Sequence, residues 1–132
     1  MGNTIRPGLS SEAADHKTAV EIKLVYVDDE SQKMRIHAIV SGGKLVSKEM
    51  YCHLVEWNGE ENEIQPGILT AEDDSFRKYE GEWGYGDKSD VRFEFLDRPL
   101  GVGQEVKRVD VISGERNEYT YRIVDVIDLL KS

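Results

Sequence analysis

A single cysteine, Cys52, in a chain of 132 residues excludes an intrachain disulfide and a cysteine-rich zinc site, and with them a secreted disulfide framework. No apolar run approaches the roughly 20 residues that a membrane-spanning helix needs. The first 17 residues have neither the basic start nor the continuous apolar stretch of a signal peptide. The opening Met1-Gly2-Asn3 is followed by Arg6 where myristoylation wants Ser or Thr. Asn3, Asn58, Asn62 and Asn117 all lack Ser or Thr two positions on, so no glycosylation acceptor is present. Together these absences point to a reducing, cytoplasmic setting without a membrane partner. Cations are also scarce, with 17 Lys and Arg against 26 Asp and Glu for a net charge of -9. Phosphate backbones are held largely by clustered Lys and Arg, so nucleic acid is disfavoured as a partner.

What is present suits one globular domain: 39% of residues are hydrophobic and 33% charged. Residues 1–17 mix Pro7, Gly8, Ser10 and Ser11 with charges and read as a flexible arm, leaving 18–132 as a single β-rich domain. From Thr18 the period is two. Val20, Ile22, Leu24 and Tyr26 alternate with more polar neighbours, and after a turn at Asp28–Ser31 so do Met34, Ile36, Ala38 and Val40. A third strand over Leu45–Trp57 has Val46, Met50, Cys52 and Leu54 on one parity. A three-residue loop, Gly42 to Lys44, sets Ile36 against Met50 and Met34 against Cys52, with His37 facing Glu49. Val91, Phe93 and Phe95 mark a further strand. In the last hairpin, turning through Ser113 to Asn117, the expected register has Val111 against Tyr121 and Val109 against Ile123, pairing Asp110 with Arg122 on the other face. After Val124 the phase slips, which calls for a bulge near Asp125 or a final helical turn. Six to seven strands without a long helix predict an antiparallel β-sandwich, with a small β-barrel as the alternative.

No recognisable catalytic set is present. Cys52 lies between Met50 and Leu54 on the inward parity, where apolar surroundings raise a thiol pKa, so it reads as inert. His37 beside Glu49, with His53 nearby, resembles a base and its orienting carboxylate, but no nucleophile or oxyanion donor accompanies them. The acidic turns at 28–30, 72–74 and 87–90 lack the alternating spacing of a calcium loop, and Gly81–Asp87 lacks the lysine and following helix of a phosphate loop. Neither metal nor cofactor is expected.

One segment stands out. Glu56 to Asp90 holds eleven acidic residues against three basic ones, a balance of -8, which leaves the rest of the chain nearly neutral. It also holds five of the eleven aromatic residues. Aromatic anchors and steering carboxylates are the vocabulary of a protein-binding patch, so Trp57, Glu72, Asp73, Asp74, Phe76, Tyr79, Trp83, Tyr85 and Asp87 form the expected partner surface. The function this implies is non-enzymatic: an acidic domain that neutralises a basic protein or serves as a subunit of a larger assembly. The alternative is a carbohydrate or small-ligand binding β-sandwich with Trp57, Trp83 and Tyr85 as stacking platforms.

Overall fold

The computed structural model describes residues 16–83 and 90–130. The residues read as a flexible arm lie almost wholly outside the described part. Among the described residues there is no helix, and nine strands follow in chain order: β1 Lys17–Tyr26, β2 Asp29–Ser41, β3 Lys44–Leu45, β4 Glu49–Trp57, β5 Asn62–Ala71, β6 Lys78–Trp83, β7 Asp90–Glu94, β8 Glu105–Ile112 and β9 Glu115–Asp128. Each long strand pairs antiparallel with the next, and β1 pairs with both β2 and β9. The result is a closed eight-stranded barrel, with β3 as a short addition beside β2. It is not a sandwich: β1 has a partner on each side, so the sheet has no free edge at which to split into two layers.

The barrel has more strands than expected because two cross the acidic segment. Pro66 and Gly67 disguise β5 and Gly81 disguises β6, since Pro and Gly are ordinarily depleted in strands. Pro66 is tolerated because it lies beyond the last β5–β6 pair, Gly67 with Trp83. Gly67 is required for a different reason. A Cβ there would meet the Trp83 ring at 1.9 Å, so the indole lies directly on the bare backbone of β5.

An eight-stranded barrel is just wide enough for its interior to be filled by side chains. Val20, Ile22 and Leu24 from β1, Met34, Ile36, Ala38 and Val40 from β2, and Met50, Cys52 and Leu54 from β4 all point inward and are buried, as their alternation predicts. Val91, Phe93 and Phe95 are buried too, with Phe95 edge-on to Tyr79 at 5.7 Å between ring centroids.

The registers differ from those expected. The first turn is the tight Val27–Asp28 pair rather than Asp28–Ser31. Gly42 and Gly43, at φ 59° and 84°, form a two-residue turn that pairs Val40 with Leu45. The chain then breaks at 46–48, and β4 pairs Ile36 with Cys52 and Met34 with Leu54. Ser47 holds the break: the Ile39 N–H donates to its hydroxyl at 2.5 Å, and the hydroxyl donates to the Ile39 carbonyl at 3.2 Å. A three-residue offset thus corrects the parity that a tight turn alone would have reversed. At the last hairpin the turn is also two residues, Ser113 and Gly114 at φ 52° and 84°, not five. Val106 therefore faces Tyr121 and Arg108 faces Tyr119. The inward positions of β8 become Val106, Arg108 and Asp110, while Val109 and Val111 are only half-buried. The phase slip in β9 is a bulge: Leu24 pairs with Ile123 and Lys23 with Asp125, leaving Val124 as the extra residue.

The Gly67 shelf carries the first prediction. Gly67→Ala should displace the Trp83 ring and destabilise the barrel by about 1–3 kcal/mol, the usual cost of overpacking. Thermal denaturation should show a lower midpoint, and the emission of Trp83, isolated in a Trp57→Phe background, should shift to the red. An unshifted spectrum would mean that the ring does not lie on Gly67.

Candidate functional site

The nine residues of the expected partner surface do not gather into one patch. Tyr79 is wholly buried and donates its hydroxyl to the Ser47 carbonyl at 2.8 Å; Trp83 is buried as well. Phe76 is half-buried against the core. A ring inside the barrel offers a partner no contact area. Tyr85 and Asp87 lie outside the described residues. Trp57, Glu72, Asp73 and Asp74 are exposed, but Trp57 pairs with Asn62 at the start of β5 whereas Glu72 follows its end. Ten residues of strand separate them, about 30 Å at the usual rise. Two of these acids have local duties: Glu72 pairs with Arg92 at 3.3 Å, and the Asp73 carboxylate accepts from the Ser75 N–H at 2.8 Å and from its hydroxyl at 2.5 Å. Those bonds hold the Asp73 carboxyl below its ordinary range. The histidine–carboxylate pair is also rearranged: His37 faces Tyr51 and lies 3.5 Å from Glu21, while His53 faces Arg35.

The structure gathers polar groups elsewhere, at the barrel mouth formed by the β1–β2, β4–β5 and β8–β9 turns. Arg108 and Asp110 sit two residues apart on β8 and so point the same way, inward. Arg108 donates from Nε and Nη2 to the two Asp110 oxygens, both at 2.7 Å, and from Nη1 to the Tyr121 hydroxyl at 3.1 Å. The two side chains are 14% and 6% exposed. The guanidinium lies 5.2 Å from the Tyr119 ring centroid and 5.9 Å from that of Phe93. Tyr26 completes the group, with its ring edge-on to Tyr119 at 5.7 Å and tilted against Tyr121 at 5.8 Å.

Tyr26, Arg108, Tyr119 and Tyr121 line a cavity of about 160 Å³, whose walls also include Gln32, Lys33, Leu54 and Glu56. Arg108 has five N–H donors and commits three, so two remain. Tyr121 accepts from Arg108 and keeps its own O–H. The Gln32 Oε1 atom is buried without a hydrogen-bond partner. The mouth thus gathers two residues with uncommitted donors, Arg108 and Tyr121, and one with an unpartnered acceptor, Gln32, beside the rings of Tyr26 and Tyr119. A larger groove of about 590 Å³ runs beside the β7–β8 connection, but its walls carry solvent-facing charges of both signs, including the Arg77–Glu94 pair at 3.6 Å.

Burial alone would weaken the charge on Arg108. The bonds it donates to Asp110 and the field of Tyr121 and Asp110 more than offset it, so the guanidinium holds its proton more tightly than usual. Burial also raises the Tyr121 pKa, against the pull of Arg108. Cys52 feels the same Arg108, but burial dominates and pushes its thiol up to about 12. Among the described residues no three His, Cys, Asp or Glu side chains converge to hold a metal ion.

Sequence reasoning missed this site because it placed Val109 and Val111 inside and so turned Arg108 and Asp110 outward. The available signal was Ser113-Gly114, a pair suited to a two-residue hairpin turn. Comparison with protein-family models, curated proteins and solved structures returned no match.

Two outcomes are expected here. Arg108→Met should cost about 3–5 kcal/mol because it strands a buried carboxylate, while Arg108→Met combined with Asp110→Leu should recover most of that loss. Urea denaturation of the two variants measures the difference; equal losses would show that the charges do not act as a pair. For Cys52, the folded thiol stays protonated up to about 12 while the unfolded one ionises near its ordinary 9.0. Its contribution is therefore complete below pH 9 and lost as pH rises towards 12, by about 1.4 kcal/mol per unit. The stability gap between wild type and Cys52→Ala should narrow over that interval, and a constant gap would contradict the raised pKa.

Proposed function

We propose that this chain is a non-enzymatic binding barrel whose site is the Arg108 mouth, and that it takes a small, ring-sized polar group. The observation that carries this reading is that Gln32, whose Oε1 atom is buried without a partner, lines the same cavity as Arg108 and Tyr121, which have donors uncommitted. A buried acceptor without a partner costs about 1–3 kcal/mol. A ligand N–H or O–H would remove that cost. A ligand carbonyl or carboxylate oxygen would meet Arg108 and Tyr121, and a ring would lie against Tyr26 and Tyr119. A cavity of about 150 Å³ suffices for benzene, so the mouth suits one ring rather than an oligosaccharide. Binding rather than turnover fits a guanidinium locked in place and a nearby thiol kept protonated.

A basic protein partner steered by the acidic segment is the weaker reading. Trp57 and the 72–74 acids are exposed as that reading needs, but they lie at opposite ends of β5.

The test is an NMR titration with benzamide, benzoate and toluene, following the Arg108 Nε–H signal and the Tyr26 and Tyr119 ring signals. Benzamide, which has both an acceptor and a donor, should shift all three, and toluene should not. Gln32→Leu should abolish the preference for benzamide over benzoate while leaving stability unchanged or raising it by about 1 kcal/mol. Silence at all three signals with every compound would rule out the mouth as a binding site.

A further inference from the structure

The mouth is acidic at its rim and balanced within. The three turns that form it, 27–28, 58–61 and 113–114, carry Asp28, Glu60 and Glu61 and no Lys, Arg or His, and β2 and β9 open on Asp29, Glu30 and Glu115. Of the cations nearby, Arg122 is committed to Glu30 and Arg116 to Glu118, each at 3.2 Å. An anion approaching from solvent therefore meets carboxylates first and is repelled to the extent that salt does not screen them. Inside, Arg108 is cancelled by Asp110, and the lining Lys33 is matched by the lining Glu56, so the cavity asks for no countercharge. A cation drawn in by the rim would find only donors on Arg108 and would set a second positive charge beside the guanidinium.

The hydrogen-bonding capacity of the lining is equally selective. Arg108 keeps two N–H donors and Tyr121 its O–H, whereas Gln32 offers an acceptor. The two ends of the Gln32 amide are not interchangeable, because its side chain also bonds to the Asp29 carboxylate, which can accept only from the amide nitrogen. Oε1 is the end left over. A ligand matched to this set has both a carbonyl and an N–H. The volume decides where they sit: about 160 Å³ is close to the roughly 150 Å³ that suffices for benzene, so both groups belong to the ring itself. In a six-membered ring a cyclic amide carries the two side by side, and its planar face can lie against the rings of Tyr26 and Tyr119.

We infer that the ligand of the Arg108 mouth, on the reading that this is the binding site, is an uncharged cyclic amide, the group shared by lactams, pyridones and pyrimidine bases. Selectivity then has three sources. The rim disfavours anions, Arg108 disfavours cations, and a ring without an N–H leaves the Gln32 acceptor unpaired, a penalty that a correctly matched ring avoids.

Titration of the full chain with 2-pyridone, N-methyl-2-pyridone, benzoate and benzamidinium tests this class, following the Arg108 Nε–H and the Tyr26 and Tyr119 ring signals, with circular dichroism confirming that each variant keeps its strands. 2-Pyridone should bind about tenfold more tightly than each of the other three, the order that one buried hydrogen bond contributes. In Gln32→Leu the two pyridones should bind alike, which separates loss of the bond from the bulk of the added methyl group. Glu60→Gln combined with Glu61→Gln changes exposed residues outside the cavity lining. That variant should strengthen benzoate binding about threefold and leave 2-pyridone unchanged, as should raising salt from about 0.05 to 0.5 M. The inference would be overturned, with the mouth still a binding site, if benzoate or benzamidinium bound as tightly as 2-pyridone. The same holds if the preference for 2-pyridone over its N-methyl form survived Gln32→Leu, or if benzoate binding ignored both the rim variant and salt. Silence from all four compounds would remove the binding site itself.

Discussion

Closure of the barrel through β1 is the constraint on which the rest of the molecule depends. Once β1 is bonded to both β2 and β9, no strand can slip by one residue without turning a full set of side chains inside out. Whatever occupies an inward position must then fill space or find partners there. Most inward positions hold aliphatic or aromatic groups. Irregularities restore the inward set where turn geometry would have reversed it: the break at 46–48 does so before β4, and the bulge at Val124 does so against β1.

Arg108 and Asp110 show what closure demands of polar residues. Neither could remain in the wall alone, because an isolated charge in such surroundings carries a desolvation cost of several kcal/mol. Two bonds to one carboxylate and one to a phenol make the pair tolerable. An apolar pair of similar volume would fill the same space with less dependence on geometry. The charged pair, unlike an apolar one, leaves two guanidinium hydrogens uncommitted beside the mouth. The fold therefore separates an apolar interior from a polar mouth at one end.

The legible part of this architecture was the part with clean alternation. The inward sets of β1, β2, β4 and β7 could be read from residues such as Ile22, Ile36, Cys52 and Phe93, because each apolar position is separated from the next by a more polar one. The strands of the acidic segment could not. In β5 the outward face is itself apolar at Ile64 and Ile68 while the inward face holds Gly67, so the contrast that marks a strand is lost. In β8 the contrast points the wrong way: Val109 and Val111 are apolar and outward, Arg108 and Asp110 charged and inward. The two bonds to the Asp110 carboxylate and the one to the Tyr121 hydroxyl explain why that reversal is stable, and these pairings follow from the register rather than from the apolar pattern, so the candidate site was the least legible feature of the chain. Among the described aromatic residues of 56–90, Tyr79 and Trp83 belong to the barrel interior, Phe76 is half-buried and Trp57 is exposed.

The β1–β9 seam also sets an order of events for synthesis. Strands β1 to β8 form a meander of neighbouring hairpins that can pair as soon as each leaves the ribosome, but the seam joins Val20 to Asp128 and waits for nearly the whole chain. Until then the nascent sheet has two open edges, at β1 and β8, each able to accept a strand from another molecule. Contacts so distant in sequence slow the final step of folding. The period of vulnerability is therefore longest just before completion, when most of the apolar interior has been made but not yet enclosed.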